Sequence, residues 1–356
     1  MARVIVGMSG GVDSAVAAYL LKEAGYEVIG LTLRSWMSAD GDEGRCCEID
    51  DARAAARKLR IPYHTLNCIG TFREYVTEPF VQAYLRGWTP NPCVECNRYV
   101  KWEWMLYMAK VLQADYVATG HYASVIRLGN GRFTLRTADH AEKDQTYMLY
   151  RLTQEQLEAT LMPLGVYAKQ EVRKIAEEAG IPVAQKPDSQ EICFVSDNHY
   201  AGYVEQNAAG ELPGPGNFVN EDGEILGRHK GIIHYTVGQR KGLGIALGAP
   251  VYVKSIRPDK NEIVLADDAA LFCSGIVCER LSYMGLPELK TGEKVRCKAK
   301  IRYHHTAQAA RIEQLSQDRA RIIFDRTVRA PAPGQSAVFY DDDGCVLGGG
   351  IITETF

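Results

Sequence analysis

The stretch RVIVGMSGGVDS, residues 3–14, decides the fold. Its apolar, β-branched first half is typical of a buried strand, and a helical pattern follows over residues 14–26. The glycines between them allow positive φ and close approach of the backbone to a ligand. Exposed N–H groups at the helix start, with the hydroxyls of Ser9 and Ser14, then form an anion site, and Asp13 can hold a phosphate-bound metal ion. The stretch favours a nucleotide-phosphate loop over a plain glycine turn. It is not the GxxxxGK[ST] loop, because no lysine follows the glycines.

The next hundred residues alternate between strand and helix patterns. Strands are predicted over residues 27–33, 61–68 and 114–121, and helices over residues 50–59, 71–87 and 97–113. Such alternation indicates a parallel sheet with helices on both faces. Because crossovers between parallel strands are right-handed, the predicted fold class is α/β with a doubly wound N-terminal domain. Further on, the pattern predicts a hairpin over residues 127–136 and helices over residues 154–161 and 168–180.

The composition changes near residue 205, where the chain becomes rich in glycine and proline. Short strands and turns follow, with few helical windows. We therefore predict three domains. They are a nucleotide-binding domain over residues 1–205, a small central α+β or β module over residues 206–272, and a C-terminal β-barrel over residues 273–356.

The overall composition is that of an ordinary globular protein. The chain has 356 residues, of which 46% are hydrophobic and 24% charged, and this length suits two or three domains. No apolar run approaches about 18 residues, so no membrane helix is predicted. The N-terminus shows no charged-then-apolar leader, which favours a cytoplasmic location. The net charge of −3 does not by itself indicate a nucleic-acid partner.

The ten cysteines are too dispersed for a secreted disulfide scaffold. Most are expected to be buried and to behave as small hydrophobic residues. This expectation covers Cys68, Cys273, Cys278, Cys297 and Cys345.

The stretch NPCVECN, residues 91–97, places Cys93 and Cys96 three residues apart. A disulfide, a metal site and sulfur chemistry are all compatible with this spacing. Cys96 directly precedes a helix predicted to begin at Asn97, a position that lowers a thiol pKa. A structural zinc site would need four ligands, which the adjacent Cys46 and Cys47 could complete.

A basic alternation marks the last third of the chain. Lysine or arginine occupies positions 294, 296, 298, 300 and 302, with uncharged residues between them. A period of two indicates a strand with one basic face. Because like charges in a row repel each other, the pattern favours a phosphate backbone lying over this face, and a solvated strand face is the alternative.

Several stretches together resemble one known family. SGGVDS resembles the PP-loop of ATP pyrophosphatases, which cleave ATP between the α and β phosphates and adenylate a substrate. The resemblance narrows with RGWTPNPCVECN (86–97), ATGHYA (118–123), KDQTYML (143–149), LGVYAKQEVRKIAEEAGIPVAQKPDSQEICFV (164–195), GRHKGIIHYTVGQRKGLG (227–244), KIRYHH (300–305) and PGQSAVFY with VLGGGII (333–352). In this order, over essentially the whole chain, they resemble the tRNA-specific 2-thiouridylase family (MnmA).

The resemblance implies ATP-dependent 2-thiolation of the wobble uridine of tRNA. In the family's mechanism ATP adenylates the C2 oxygen, and a persulfide at the position of Cys193 delivers sulfur. The position of Cys96 supplies a nucleophile that completes a Cys96–Cys193 disulfide or releases sulfide. A thiolate nucleophile divides a difficult substitution into easier steps. The implied cofactors are ATP and Mg²⁺, and the implied partners are the tRNA anticodon and a persulfide or sulfide donor protein, with no membrane.

The resemblance also assigns binding residues. The ATP positions are Gly7, Met8, Ser9, Gly10, Gly11, Val12, Asp13 and Ser14, with Leu33 at the adenine and Gly120 beside the nucleotide. The target base meets Asn91, Pro92 and Cys93, and tRNA meets Lys143, Asp144, Gln145, Arg302 and Tyr303. The central module, residues 206–272, is also expected to contact tRNA. Tyr303 or Trp88 could stack on an extruded base. The common family motif has Asp where this chain has Cys93, so the role of that Asp is not carried over.

Three alternatives stay open at this point. Cys93, Cys96 and Cys193 would suit a [4Fe–4S] cluster with one open iron that carries sulfide. Another PP-loop adenylating ligase would share the phosphate loop. A non-catalytic RNA-binding protein with a structural zinc would share the basic segments and the CxxC stretch.

Overall fold

The computed structural model describes residues 1–36, 49–187, 192–195, 199–210 and 212–356. Its N-terminal sheet has five parallel strands: β1 (Arg3–Gly7), β2 (Glu27–Arg34), β3 (Tyr63–Asn67), β4 (Tyr116–Ala118) and β7 (Thr160–Leu161). Their order in the sheet is β3-β2-β1-β4-β7. The chain order reverses between β1 and β4, and open α/β sheets bind ligands at such a switch point.

Helices cover both faces of this sheet. They are α1 (Val12–Glu23), α2 (Ile49–Leu59), α3 (residues 69–85), α4 (residues 92–111), α5 (Gln154–Glu158), α6 (Lys169–Glu178) and α7 (Tyr200–Asn207). Successive strand residues point to opposite faces. Accordingly, Val4 and Val6 belong to the apolar cluster of α1, whereas Ile5 belongs to the cluster that contains Trp102 and Met105 of α4.

Helices α3 and α4 each contain a π-helical segment, Arg73–Thr77 in α3 and Cys96–Lys101 in α4. Single π-turns within α-helices are frequent at functional sites. The segment in α4 begins at one of the two cysteines implied in catalysis.

Two local predictions differ in outcome. The predicted hairpin is confirmed as antiparallel strands β5 (Ala123–Arg127) and β6 (Phe133–Thr137). The helix predicted over residues 154–161 is wrong in its second half, because it ends at Glu158 and the next residues form β7. Parallel pairing of β7 with β4 outweighs the local helical pattern, which is only a weak preference.

The central module and the C-terminal barrel are both β structures. The module has the sheet order β10-β11-β8-β9, with β8 (Gly216–Val219), β9 (Ile225–His229), β10 (Tyr252–Arg257) and β11 (Glu262–Ala266). Six strands close the barrel: β12 (Phe272–Tyr283), β13 (Lys294–Lys300), β14 (Gln308–Ser316), β15 (Arg319–Arg329), β16 (Ser336–Tyr340) and β17 (Val346–Thr355). Short 3₁₀ helices lie at Ala141–Lys143, Thr146–Met148, Ile232–His234, Pro258–Lys260 and Ala269–Leu271. The predicted fold class is confirmed, whereas the exact boundaries at residues 205 and 272 stay predictions.

One turn of the barrel holds the segment that precedes NPCVECN. The N–H of Thr89 donates to the carbonyl of Pro333 (2.8 Å), and Nε2 of Gln335 donates to the carbonyl of Thr89 (3.0 Å). Gly334 has a φ of +90°, and a β-carbon there would lie 3.0 Å from the nitrogen of Thr89. The barrel therefore fixes the approach to the cysteine segment of the first domain.

Within the part of the chain that the structure describes, no helix has the length and apolar character needed to cross a membrane.

Candidate active site

The phosphate loop, residues 7–14, connects β1 to α1 at the switch point of the sheet. Gly10 has a φ of +79°. The N–H of Ser9 donates to Oγ of Ser14 (3.2 Å), which donates in turn to the carbonyl of Gly11 (3.1 Å). Gly11 is the N-cap of α1 and has no side chain to accept from the first-turn N–H groups. Those groups and the helix dipole make the loop an anion site.

Gly120 lies directly against the backbone of this loop. A β-carbon at this position would lie 2.7 Å from the carbonyl carbon of Asp13 and from the nitrogen of Ser14, so only glycine fits. Leu33 lies near the end of β2 and is buried, with 8% of its surface exposed. Both residues are thus at the carboxyl ends of strands, and their contact with a nucleotide stays a prediction.

Asp13 has two partners that the sequence patterns did not indicate. Its carboxylate accepts from Nζ of Lys169 at 2.7 and 2.8 Å and from the hydroxyl of Tyr122 at 2.7 Å. Lys169 begins α6, and Tyr122 follows β4. Both lie in the stretches LGVYAKQEVR and ATGHYA, but separations of more than a hundred residues from the loop give no local signal of contact.

The position of Cys96 corrects the expectation made from the sequence. Helix α4 begins at Pro92, not at Asn97, because proline at the first helical position has a preset φ and needs no N–H acceptor. Cys93 therefore lies in the first turn and is exposed, whereas Cys96 lies one turn further and is 6% exposed. The helix-start argument for the reactivity of Cys96 is wrong.

Cys193 is held near the same apolar core as Cys96. The neighbouring Phe194 packs its ring 5.6 Å from that of Phe72 and 5.2 Å from that of Phe80, both in α3. Cys96 and Phe194 belong to one buried cluster, and Cys193 packs against it. The two family-implied cysteines therefore border the same extended apolar cluster, from positions almost a hundred residues apart, and their pairing stays a prediction.

Five further cysteines are expected from the sequence to be plain core residues. Cys68, Cys278, Cys297 and Cys345 are buried, as predicted, and Cys273 is half-buried. Burial raises the pKa of Cys68 and of Cys297 to about 12. Such thiols stay protonated at neutral pH and are poor nucleophiles.

Metal ligation by cysteine gains no support from the structure. Across residues 1–36, 49–187, 192–195, 199–210 and 212–356, no three His, Cys, Asp or Glu side chains are arranged to hold a metal ion. The three thiols proposed for a [4Fe–4S] cluster are all in these ranges and do not form such a group. Cys46 and Cys47, considered for zinc, lie outside the described residues.

Three separate segments meet in what we term the tyrosine cluster, which consists of Tyr147, Tyr303 and Tyr340 with Lys300 and Asp144. The rings of Tyr147 and Tyr303 are 6.2 Å apart, and Nζ of Lys300 lies 5.5 Å from the ring centre of Tyr303. Burial raises the pKa of Tyr303, and Asp144 and Cys93 raise it further. The exposed Cys93 therefore acts electrostatically on Tyr303, and the cluster itself joins the 143–145 and 302–303 segments that the resemblance assigns to tRNA.

Three residues that the resemblance assigns to tRNA form hydrogen bonds that hold neighbouring loops in place. Asp144 is 7% exposed and accepts from the N–H (3.3 Å) and the hydroxyl (2.8 and 3.0 Å) of Thr146. Gln145 accepts from the N–H of Tyr122 and donates its own N–H to the carbonyl of that residue, each at 3.0 Å. Arg302 uses Nη2 to donate to the carbonyls of residues 237 (3.0 Å) and 330 (2.6 Å), which joins the central module to the barrel.

The basic strand face is largely neutralised. Strand β13 ends at Lys300, so Arg302 and Tyr303 lie in the following turn and not on the strand. The ion pairs are Lys294–Glu313 (3.2 Å), Arg296–Asp325 (2.8 Å) and Lys298–Asp342 (3.0 Å). The argument from mutual repulsion is wrong for these three residues, because acids elsewhere in the barrel compensate them.

A doubly wound parallel sheet with a glycine loop of the SGGVDS type at its switch point defines a nucleotide-binding domain of the PP-loop class. Three family models match the chain in series. They are the tRNA methyl transferase HUP domain over residues 2–197, the tRNA methyl transferase PRC-barrel domain over residues 205–267, and the aminomethyltransferase beta-barrel domain over residues 274–352.

Full-length relatives identify the family. The tRNA-specific 2-thiouridylase MnmA of Lachnoclostridium phytofermentans is 52% identical, over 99% of this chain and 100% of the relative. That of Acetivibrio thermocellus is 50% identical, over 98% of this chain and 99% of the relative. The chain belongs to the tRNA-specific 2-thiouridylase family, which confirms the resemblance found in the sequence. Two of the family models are named after a tRNA methyl transferase, whereas both of these relatives are named as thiouridylases.

A distant solved structure is also similar. It is the U34-tRNA thiolase NcsA from Methanococcus maripaludis with its [4Fe–4S] cluster, at 18% identity and a TM-score of 0.35 over 58% of this chain and 62% of that one. A likeness this weak carries no argument about the present chain.

Proposed function

We propose that this chain is an ATP-dependent tRNA-uridine 2-sulfurtransferase that replaces the C2 oxygen of the wobble uridine with sulfur. The observation that supports the proposal is that Cys96 lies in, and Cys193 packs against, the same apolar cluster, in the domain that holds the phosphate loop. Membership of the thiouridylase family supports tRNA as the substrate and ATP as the cosubstrate. We place the reaction in the cytoplasm.

The first step is adenylation of the uridine. The loop residues 7–14 bind the ATP phosphates, with Leu33 at the adenine and Gly120 against the loop. The C2 oxygen attacks the α-phosphorus, the bond to the bridging oxygen breaks, and its electron pair leaves with pyrophosphate. The oxygen thereby becomes part of a good leaving group, AMP.

Mg²⁺ suits this loop, because proteins hold it through one or two carboxylates together with substrate phosphates. The carboxylate of Asp13 lies at the start of α1, where the hydroxyl of Tyr122 donates to it, so Asp13 would hold the ion. When bound, Mg²⁺ neutralises phosphate charge.

The second step transfers sulfur. The terminal sulfur of a persulfide on Cys193 attacks C2, and AMP leaves with the former C2 oxygen. The thiolate of Cys96 then attacks the Cys193 sulfur, which releases the thiolated uridine and forms a Cys96–Cys193 disulfide. Alternatively, Cys96 attacks first and releases sulfide, which attacks C2. Either route ends in a disulfide that a thiol reductant resets, and a donor protein supplies the next persulfide sulfur.

The RNA side of the site is the tyrosine cluster. Tyr303 is half-buried beside Lys300, so an extruded base could stack on its ring while the ammonium faces a phosphate. Asn91, Pro92 and Cys93 form the adjacent wall for the base, and Lys143 continues it. We assign Asp144, Gln145 and Arg302 to holding this surface in shape, because their hydrogen bonds are directed at neighbouring loops.

The test is direct thiolation of unmodified tRNA. Purified chain, ATP and a low-molecular-weight persulfide are incubated with tRNA, and the digested nucleosides are separated and weighed by mass spectrometry. We expect 2-thiouridine with the wild type and with Cys273→Ser, a matched control from the barrel. Cys96→Ser and Cys193→Ser should yield none, while still releasing pyrophosphate from ATP in the presence of tRNA. Thiolation by both serine variants would contradict the sulfur-transfer role.

Anaerobic reconstitution with iron and sulfide distinguishes the persulfide route from the alternative in which a [4Fe–4S] cluster delivers the sulfur. An iron-free chain that thiolates tRNA excludes a cluster as a requirement. Strict dependence of thiolation on bound iron would instead overturn the persulfide route.

A further inference from the structure

The phosphate loop has no cation of its own. Residues 7–14 contain two serines, one aspartate and three glycines, but no lysine or arginine. In the GxxxxGK[ST] loop, a lysine inside the motif reaches the β- and γ-phosphates. Release of pyrophosphate places additional negative charge on the leaving group, and a positioned cation is the usual means of stabilising such charge. The present loop must obtain that cation from another part of the chain or from solution.

Lys169 is placed to provide it. Its ammonium lies 2.7 and 2.8 Å from the two carboxylate oxygens of Asp13, within the loop, and its side chain is 12% exposed. The residue begins α6, which packs against α1, the helix that the loop enters. A charged group this well buried is costly without a partner.

The backbone that carries Lys169 is held in position. The N–H of Ala168 donates to Oε2 of Glu171 (2.7 Å), which fixes the start of α6. Upstream, a β-carbon on Gly165 would lie 2.4 Å from the carbonyl oxygen of Ala123, so this turn tolerates only glycine. The lysine therefore reaches the loop from a rigid base, whereas its own four-carbon stem can rotate.

We propose that Lys169 is the phosphate-binding lysine of this PP-loop. In the protein without nucleotide it neutralises Asp13. When ATP binds, its ammonium turns to the β- and γ-phosphate oxygens and then stabilises the leaving pyrophosphate, with no proton transferred. The proposal deepens the proposed function and rests on ATP binding at residues 7–14. A purely structural role, in which Lys169 only holds Asp13, is the competing account.

AMP and ATP distinguish these two accounts, because AMP lacks the β- and γ-phosphates. Binding of each nucleotide to the full chain is measured by calorimetry without tRNA. For Lys169→Met we expect ATP affinity to fall about 10- to 100-fold, the range for a hydrogen bond to a charged group, with AMP affinity unchanged. Lys169→Arg should retain most ATP affinity.

Lys174 provides the matched control on the same helix. It is 75% exposed and pairs with Glu178 on the solvent side, so Lys174→Met should bind both nucleotides as the wild type does. Should Lys169→Met fold poorly, Lys169→Gln keeps a polar side chain of similar reach for the same comparison.

Two results would overturn the proposal: unchanged ATP affinity in Lys169→Met, or equal weakening of ATP and AMP, which would mean that the loop itself had deformed. Because these measurements omit tRNA, they are independent of thiolation. A chain that bound nucleotides as expected but never thiolated tRNA would refute the proposed function and leave this role intact.

Discussion

The phosphate loop and the tyrosine cluster are built in opposite ways. The loop is eight consecutive residues between one strand and one helix, and its shape comes from its own glycines and serine hydrogen bonds. The cluster combines residues from the first domain, at 144 and 147, with residues from the barrel, at 300, 303 and 340. A site of the first kind can be recognised from a short sequence, whereas a site of the second kind exists only after the domains have packed.

One tyrosine connects the two regions. Tyr122 donates its hydroxyl to Asp13 in the loop, and its backbone N–H and carbonyl both bond to Gln145. Gln145 directly follows Asp144, a member of the tyrosine cluster. The two sites therefore share a short hydrogen-bonded path, and substitutions can show whether they also work independently.

The largest effect is expected at the loop. Asp13→Asn keeps the shape of the side chain and an acceptor for Tyr122, but it removes the charge that would hold Mg²⁺. We expect thiolation and pyrophosphate release to fall by more than about 100-fold. Replacing even a residue that only hydrogen-bonds to a metal ligand typically lowers metal affinity or activity by about 10- to 100-fold. tRNA affinity, measured by filter binding, should not change if the two regions are independent. Thiolation at the wild-type rate would contradict the role of Asp13.

The sequence predicts the phosphate loop and its surroundings well for a physical reason. Strand, glycine turn and helix are local features, so the parallel sheet, the position of Gly120 at a strand end and the C-terminal barrel follow from pattern and resemblance, whereas the order of the strands does not. The helix start at Pro92 is not predicted, because the apolar periodicity begins only after Asn97, whereas the helix begins with proline at its first position. The partners of Asp13 were missed because contacts between distant segments leave no periodic signal.

The basic strand shows the limit of charge patterns. Lys294, Arg296 and Lys298 alternate as predicted, but their acid partners lie on other parts of the barrel. A pattern along one strand carries no information about the charge of its neighbours. Only Lys300, the last residue of that strand, reaches the tyrosine cluster.

The second effect is expected at Tyr303. If its ring stacks on the target base, Tyr303→Ala should lower kcat/KM for tRNA about 10- to 100-fold, because stacking of a base on an aromatic side chain is worth about 1–3 kcal/mol. Tyr303→Phe keeps the ring and should retain most activity. Nucleotide affinity should stay unchanged in both variants. Equal losses in the two variants would assign the effect to the hydroxyl and not to stacking.

A smaller effect, on the salt dependence of tRNA binding, should distinguish Lys300 from Lys298. Lys300→Gln should reduce the salt dependence of tRNA binding by about one unit of log K against log salt, as expected for one lost phosphate contact. Lys298→Gln should leave the slope unchanged, because Lys298 is already paired with Asp342. Filter-binding titrations over a range of salt concentrations measure both slopes. A slope that changes only in Lys298→Gln would place the RNA over the strand face instead of the cluster.

The smallest effect is expected at Cys93. It lies exposed in the first turn of α4 near Tyr303, on the border between the cysteine pair and the tyrosine cluster. If sulfur transfer needs only Cys96 and Cys193, Cys93→Ala should thiolate tRNA within about twofold of the wild type, the scale of a surface substitution of about 0.5 kcal/mol. Cys93→Asp introduces the residue that the resemblance leads us to expect at this position and places a carboxylate in the first helical turn, where the dipole favours it. It should be at least as active as Cys93→Ala. Loss of thiolation in Cys93→Ala, together with loss of bound iron from protein reconstituted without oxygen, would instead make Cys93 a cluster ligand and join it functionally to Cys96 and Cys193.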